Sequence, residues 1–428
     1  MRSIHEVRNG LKNCCFQQEL GRVYGAEAAP AADRFLALLD GFCAFYGAGE
    51  ETAVSLYSTP GRTEIGGNHT DHQRGHVLAA SVNMDTIACV SPNNSGVIRI
   101  QSEGHRLVEV SIDNLAPVSG EMGHSPALVR GVAAKIAELG YPLTGFDAYT
   151  TTKVLRGSGL SSSATFEVLV GTILNHLCCG GVLTAGEIAQ IGQYAENTYF
   201  GKPCGLLDQM ACATGGVIFM DFGAEGTPRV SQLELDLEAA GYAVCIVDSG
   251  ASHAGLKAEY AAIPEEMGQV AKFFGCCYLS EVSPEDFYAN FAALRAACGD
   301  RSVLRAHHFF LDDALAKEER EAIAAGDMER FLSAVSRSGR SSYMYLQNVS
   351  TYRDPKHQGL AVLLALSEQL LNGQGACRVH GGGFAGTIQA YVPLERLPAF
   401  IEGMESLTGP GSCHILSFRP VGTACVLT

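Results

Sequence analysis

Residues Gly157-Ser158-Gly159-Leu160-Ser161-Ser162-Ser163-Ala164 form a glycine- and serine-rich loop that runs straight into an apolar helical pattern beginning Thr165-Phe166-Glu167. Glycines let backbone N–H groups converge without a Cβ in the way. The N-terminus of the following helix adds partial positive charge, and serine hydroxyls can bind phosphate oxygens or Mg²⁺. The segment therefore predicts an anion cradle at the start of a helix. It lacks the Gly-Lys-Ser/Thr ending of a Walker A loop. Taken alone, the same residues also suit a flexible turn closed by a serine N-cap.

Two further segments carry chemistry. Pro60-Gly61-Arg62-Thr63-Glu64-Ile65-Gly66-Gly67-Asn68-His69-Thr70-Asp71-His72 gathers an arginine, two histidines and an aspartate into one glycine-bearing stretch, which can present several hydrogen-bonding groups to a polyol. A solvated surface turn is the alternative. Gly381-Gly382-Gly383-Phe384-Ala385-Gly386 permits close backbone approach between two strands, or between a strand and a helix; a bulged hairpin is its plain reading.

Periodicity places these segments on a mixed α+β scaffold. Residues 31–46 carry Phe35, Leu38, Leu39 and Phe42 at helical spacing, and 55–58 predict a short strand ending at a turn at Pro60-Gly61. Residues 77–90, 96–101 and 107–112 predict strands, with Asn93-Asn94-Ser95-Gly96 as a hairpin turn. Helices are predicted at 126–139, 162–177 and 184–200, and a strand at 216–222. Beyond a boundary near 220, residues 242–248 predict a buried strand, several helices follow, and 376–393 read as strand, glycine turn, strand. Two domains, 1–220 and 221–428, are expected. The first roughly 30 residues give no assignable pattern.

Composition narrows the partners. The chain has 428 residues, 47% hydrophobic and 18% charged, with formal net charge -15. Such a surface repels nucleic-acid backbones and anionic lipid. The N-terminus has no apolar signal region and no stretch approaches the roughly 20 apolar residues of a membrane span, so a cytoplasmic location is expected. The 15 cysteines are odd in number and fall in adjacent pairs such as Cys14-Cys15 rather than C-x-x-C spacings, which reads as reduced thiols. No feature fixes the oligomeric state, a monomer being slightly favoured.

In their order and separation the three segments resemble the three signature motifs of GHMP kinases, and the first is similar to the galactokinase signature Gly-Arg-x-Asn-Leu-Ile-Gly-Glu-His-Thr-Asp-Tyr-Asn-x-Gly-x-Val-Leu. Gly61, Arg62, Gly67, His69, Thr70, Asp71, Gly75, Val77 and Leu78 fall in register with it. Ala195-Glu196-Asn197 and Pro203-Cys204-Gly205-Leu206-Leu207-Asp208-Gln209 look like further family segments, as do Arg305-Ala306-x-His308, Gly326-Asp327 and Arg378. Departures cluster in the first and third motifs. Glu64, Gly66, Asn68 and His72 replace Asn, Ile, Glu and Tyr, and His380 stands where threonine is usual.

The resemblance implies a two-domain GHMP kinase fold, with an N-terminal mixed β-sheet and helices, C-terminal ferredoxin-like α/β layers, and the active site in the cleft between them. It implies ATP-dependent phosphorylation of the anomeric hydroxyl of galactose. Gly157, Ser158, Gly159, Leu160, Ser161, Ser162, Ser163 and Ala164 would cradle ATP. Ser163 and Glu196 would coordinate Mg²⁺, and Asp208, with Arg62 beside it, would align or deprotonate the hydroxyl. Asn68, His69, Asp71, Asp208 and Tyr260 would contact the sugar, and Asn68 in place of glutamate implies tolerance at C6. Galacturonate, N-acetylgalactosamine or arabinose is the alternative acceptor. A silent sugar sensor is the other alternative, although Arg62, Asp208 and Ser163 are all retained. Asp221-Phe222-Gly223 spells a protein-kinase triplet but lacks that family's companion motifs and reads as a strand end.

Overall fold

The structure is a computed structural model describing residues 1–155, 157, 159–223, 228–251 and 255–428. Among these the strands are β1 (Arg2–Ser3), β2 (Ala53–Gly66), β3 (His76–Asn93), β4 (Val97–Ser102), β5 (Val108–Ser111), β6 (Gly145–Thr152), β7 (Val217–Asp221), β8 (Arg229–Leu233), β9 (Tyr242–Asp248), β10 (Ala376–Val379), β11 (Thr387–Pro393), β12 (Cys413–Leu416) and β13 (Ala424–Leu427). They build two sheets. The first has the order β1-β2-β3-β6-β4-β5, with β13 on β2, β7 on β3 and β8 on β7; the second runs β10-β11-β9-β12. Only β4–β6 pairs in parallel, so the first sheet is mixed and the second wholly antiparallel. Two segments downstream of residue 220, β8 and β13, belong to the first sheet.

β2 is longer than its sequence suggests. The expected turn at Pro60-Gly61 is a register shift inside one continuous strand, between Pro60 and Arg62. Proline tolerates such a site because the ladder there needs no N–H from it. Gly61 serves a close approach: a Cβ there would lie 3.0 Å from the Leu160 carbonyl, which accepts the Arg62 N–H at 3.2 Å. The irregularity thus lets the serine loop close onto β2.

The expected hairpin at Asn93–Gly96 also differs. The chain reverses there, but β6 lies between β3 and β4. Turn residues encode a local reversal and carry no information on which later strand inserts.

Alternation along β3 explains the layers. Val77, Ala79, Ala88 and Val90 pack beneath the helices Ser125–Glu138, Ser162–Cys178, Ala185–Tyr194 and Leu207–Thr214. Ile87 and Cys89 face the opposite way and are covered by the N-terminal helices. The chain's start is therefore structured: helices Ile4–Lys12, Gln17–Tyr24 and Ala28–Tyr46 bury Ile4, Val7, Leu20, Phe35 and Leu38, and a Ser3/Glu6 capping box starts the first. Leu78, Ala80 and Val82 join Val244, Ile246, Ala322 and Phe331 in a core shared with the second sheet. Helices Asp300–Ala325 and Met328–Ser341 cover one face of that sheet, and Gly359–Leu371 and Leu397–Thr408 the other. No described helix is long and apolar enough to cross a membrane.

Candidate active site

Arg62 reaches from β2 to Asp208, the second residue of helix Leu207–Thr214. Its Nε donates to Asp208 Oδ1 at 2.7 Å and its Nη2 lies 2.7 Å from the same oxygen. A third donor, Nη1, bonds the Gly159 carbonyl. The Asp208 side chain is 31% exposed while that of Arg62 is 7% exposed, so the acid is the more accessible of the two and the arginine backs it. Burial pushes the Asp208 pKa up, but Arg62, the Ser161 hydroxyl and Lys202 together hold it below the usual carboxylate range. Its place in the first helical turn adds to that preference for charge.

Ser161 sits before helix Ser162–Cys178 with φ +58° and makes no side-chain cap to it. Its hydroxyl is diverted instead to Asp208 Oδ2. The loop turns on Gly157 and Gly159 at φ +74° and +73°. Leu160 and Ala164 are buried anchors, whereas Ser161, Ser162 and Ser163 remain half-buried at the helix N-terminus. Ser158 lies outside the described residues. Ser163 Oγ donates to Glu196 Oε1 at 3.1 Å, and Lys202 Nζ bonds the same oxygen at 2.9 Å. Gln209 Nε2 donates to Glu196 Oε2 at 2.9 Å and to Glu167 Oε1 at 3.0 Å. Glu167 is buried, and burial first and Glu196 second push its pKa well up.

The first and third motifs are stitched together. Asn68 Nδ2 donates to the Gly381 carbonyl at 2.8 Å, and His69 Nε2 lies 3.1 Å from the Gly382 carbonyl. Tyr260 donates its hydroxyl to the Gly383 carbonyl at 2.6 Å and meets Phe384 edge to face. His380 bridges Thr63 Oγ1 and Thr387 Oγ1, each at 2.9 Å. His69 holds φ +62°, and burial followed by His72 lowers its pKa to about 3, so its ring is neutral. Asp71 accepts the His72 N–H at 2.9 Å and abuts Gly205, where a Cβ would sit 1.9 Å from Asp71 Oδ2. That close approach brings the first motif beside the loop that ends at Asp208.

Asn68 differs from the other expected sugar contacts. It is wholly buried, and its side chain also donates to Glu64 Oε1 at 2.8 Å and accepts from Asn348 at 2.8 Å and from Ser342 at 3.3 Å. With donors and acceptor thus engaged, it braces the loop in this arrangement. Glu64 in turn pairs with buried Arg378 at 2.8 Å, and burial raises its pKa to about 7. The carboxylate and amide are exchanged relative to the signature, and the structure bonds one to the other.

Residues 127–216 match the model for the GHMP kinases N terminal domain, and residues 40–92 match the galactokinase galactose-binding signature. The galactokinase of Lactococcus lactis, solved with galactose, superposes with TM-score 0.78 over 92% of this chain and 100% of its own, at 25% identity. The chain therefore carries a GHMP kinase N-terminal domain and a galactokinase galactose-binding signature on a galactokinase-like fold.

More distant members share the fold. The Methanococcus jannaschii mevalonate kinase gives TM-score 0.61 at 12% identity, covering 86% of this chain and 98% of its own. The Streptococcus pneumoniae phosphomevalonate kinase, solved with phosphomevalonate and AMPPNP, gives 0.59 at 13% identity, covering 85% and 99%. GHMP kinases use ATP, and this member is a galactokinase-like sugar kinase. Among the described residues no group of three or more His, Cys, Asp or Glu side chains forms a metal cage. Ser163 Oγ and Glu196 Oε1, already drawn to an ammonium, are a hard oxygen pair of the kind Mg²⁺ uses together with nucleotide phosphates. Asp221 ends β7, its Oδ1 accepting the Gly223 N–H at 2.9 Å. Lys202, Gln209 and Glu167 join this cluster without having been among the expected site residues, and Ser161, expected at the nucleotide, bonds Asp208. The polar residues flanking Ala195-Glu196-Asn197 and Asp208 were the available signal.

Proposed function

We propose that this chain transfers the γ-phosphoryl group of ATP to the anomeric hydroxyl of galactose, giving galactose 1-phosphate and ADP. The observation that carries the proposal is the Arg62–Asp208–Ser161 cluster. A partly exposed carboxylate is held ionised by a buried arginine at the mouth of a serine loop that ends in a helix N-terminus. Asp208 orients the acceptor hydroxyl and takes its proton late, since a carboxylate kept this acidic is a weak base. Arg62 offsets charge developing at the acceptor. The loop 157–164 holds the nucleotide phosphates with backbone N–H groups, and Ser163 and Glu196 would hold Mg²⁺, which would supply charge neutralisation for the phosphates. His69, Asp71 and Tyr260 shape the sugar site, while Asn68 acts one step removed by tying the first motif to the third.

The engaged, uncharged Asn68 gives a second acceptor, galacturonate, some support, because position 68 brings no negative charge to repel a C6 carboxylate. Coupled ADP release measured with galactose, galacturonate, N-acetylgalactosamine and arabinose separates the two. Highest kcat/KM on galactose is expected; highest kcat/KM on galacturonate transfers the assignment. No turnover with any of them removes the kinase reading in favour of a sensor.

A further inference from the structure

Lys202 follows the π-helical turn Ala195–Phe200 and the left-handed Gly201, and its backbone N–H is fixed to the Glu196 carbonyl at 3.1 Å. Its side chain is free to a different degree. Nζ lies 2.9 Å from Glu196 Oε1, yet the Lys202 side chain is 55% exposed while that of Glu196 is 2% exposed. The ammonium therefore stands on the open side of a buried carboxylate, at the end of a flexible four-carbon stem. It occupies the oxygen that Ser163 also contacts, which is the oxygen pair assigned above to Mg²⁺. Two cations on one carboxylate oxygen repel strongly, so the ammonium would leave Glu196 when that oxygen holds a divalent ion.

Where the ammonium goes is set by its neighbours. Asp208 is held acidic in part by Lys202, and Lys202 feels Asp208 after Glu196. Gln209, the residue after Asp208, bonds Glu196 Oε2 at 2.9 Å, and Ser161, two residues before Ser163, bonds Asp208, so the carboxylate under the ammonium and Asp208 are tied to the same loop and helix.

We propose that Lys202 is a catalytic residue that guards Glu196 before nucleotide binds and then moves its ammonium onto the transferring phosphoryl group. The proposal rests on the phosphoryl-transfer reading of the site. In the step it serves, the bond from the γ-phosphorus to the β,γ-bridging oxygen breaks and its electron pair stays with ADP. The acceptor hydroxyl oxygen forms the new P–O bond, and its proton leaves through Asp208 to solvent. Lys202 remains protonated and neutralises charge on the equatorial oxygens.

Lys202→Met keeps the stem and removes the charge, and Lys202→Arg restores a charge. Mn²⁺ binding to nucleotide-free protein, read by electron paramagnetic resonance, is expected to tighten about 3- to 10-fold in Lys202→Met, because an exposed competing pair is lost. With Mg²⁺-ATP and sugar saturating, kcat is expected to fall about 10²-fold, as for loss of one transition-state donor. The sugar KM stays near wild type, and Lys202→Arg recovers most of kcat. Wild-type kcat in Lys202→Met, or Mn²⁺ affinity unchanged or weakened, overturns the proposal. A wild-type protein without turnover on any sugar overturns the kinase reading and the catalytic half with it. The Mn²⁺ comparison still decides whether the ammonium guards Glu196.

Discussion

Arg62 and Asp208 lie 146 residues apart in sequence and 2.7 Å apart in space. Their pairing was legible from the motifs, because a buried arginine needs an acid and the signature names which one. Asp208→Asn is expected to fold, since the amide oxygen still accepts from Arg62, and to lose about 10² to 10⁴ in kcat. Circular dichroism alongside ADP release checks both halves, and near wild-type turnover would assign the alignment to another group. Asn68, expected at the sugar, is bonded on both its amide nitrogen and its oxygen, because sequence shows a side chain's chemistry and not which of its bonds are already made. Glu64 has a measurable consequence. Its folded pKa of about 7 exceeds the ordinary 4.5, so between those values the folded chain binds more protons than the unfolded one. The stability from Glu64 is therefore full below the lower value and declines as pH rises to the upper. Glu64→Gln removes this dependence. Urea unfolding at about pH 5 and about pH 8 is expected to show the balance shifting toward the variant as pH rises; a parallel loss in both proteins contradicts it.

β2 and helix Asp300–Ala325 meet at Gly66, where the signature has isoleucine. A Cβ at 66 would fall 1.7 Å from Glu319 Oε2, and Glu319 is itself buried. Glycine and glutamate thus form a matched pair across two elements. Gly66→Ala is expected to destabilise the fold by about 1–3 kcal/mol through overpacking. Glu319→Ala in the same chain should recover part of that cost, a coupling that a double-mutant cycle reads directly. Additive effects would show the contact to be unimportant. Most elements were readable from periodicity, including helix Ser162–Cys178 and strand β9. The exceptions share a cause. Pro60-Gly61 resembles a turn because both residues punctuate chains, yet a register shift uses the same residues without ending the strand. The Asn93–Gly96 reversal was read as a hairpin because strand insertion by β6 is a property of topology rather than of the turn.

Asp85 shows how distant parts of the chain are held together. It is fully buried, accepts from Ser58 at 2.6 Å and Tyr24 at 2.7 Å, and pairs with Arg34 at 2.7 Å and Arg419 at 3.4 Å. One carboxylate thus ties the N-terminal helices, the first sheet and the C-terminal segment. Nothing in the first 30 residues pointed to this, since the partners of Tyr24 are supplied by chain far downstream. Burial opposes its charge, but Arg34 first and Arg419 next keep its pKa low, so its contribution is present at neutral pH and lost as pH falls through the folded value. Asp85→Ala is expected to cost about 3–5 kcal/mol by stranding buried arginine charge. Turnover per folded molecule should persist, because Asp85 is remote from Asp208 in the bonding network; an undiminished urea midpoint contradicts this. The function itself is read most directly from the product. Incubating the protein with ATP, Mg²⁺ and galactose and recording ³¹P and ¹H spectra should reveal ADP together with a sugar anomeric proton split by phosphorus, absent with Asp208→Asn. Galactose left unphosphorylated, or phosphate appearing on any carbon other than C1, contradicts the assignment.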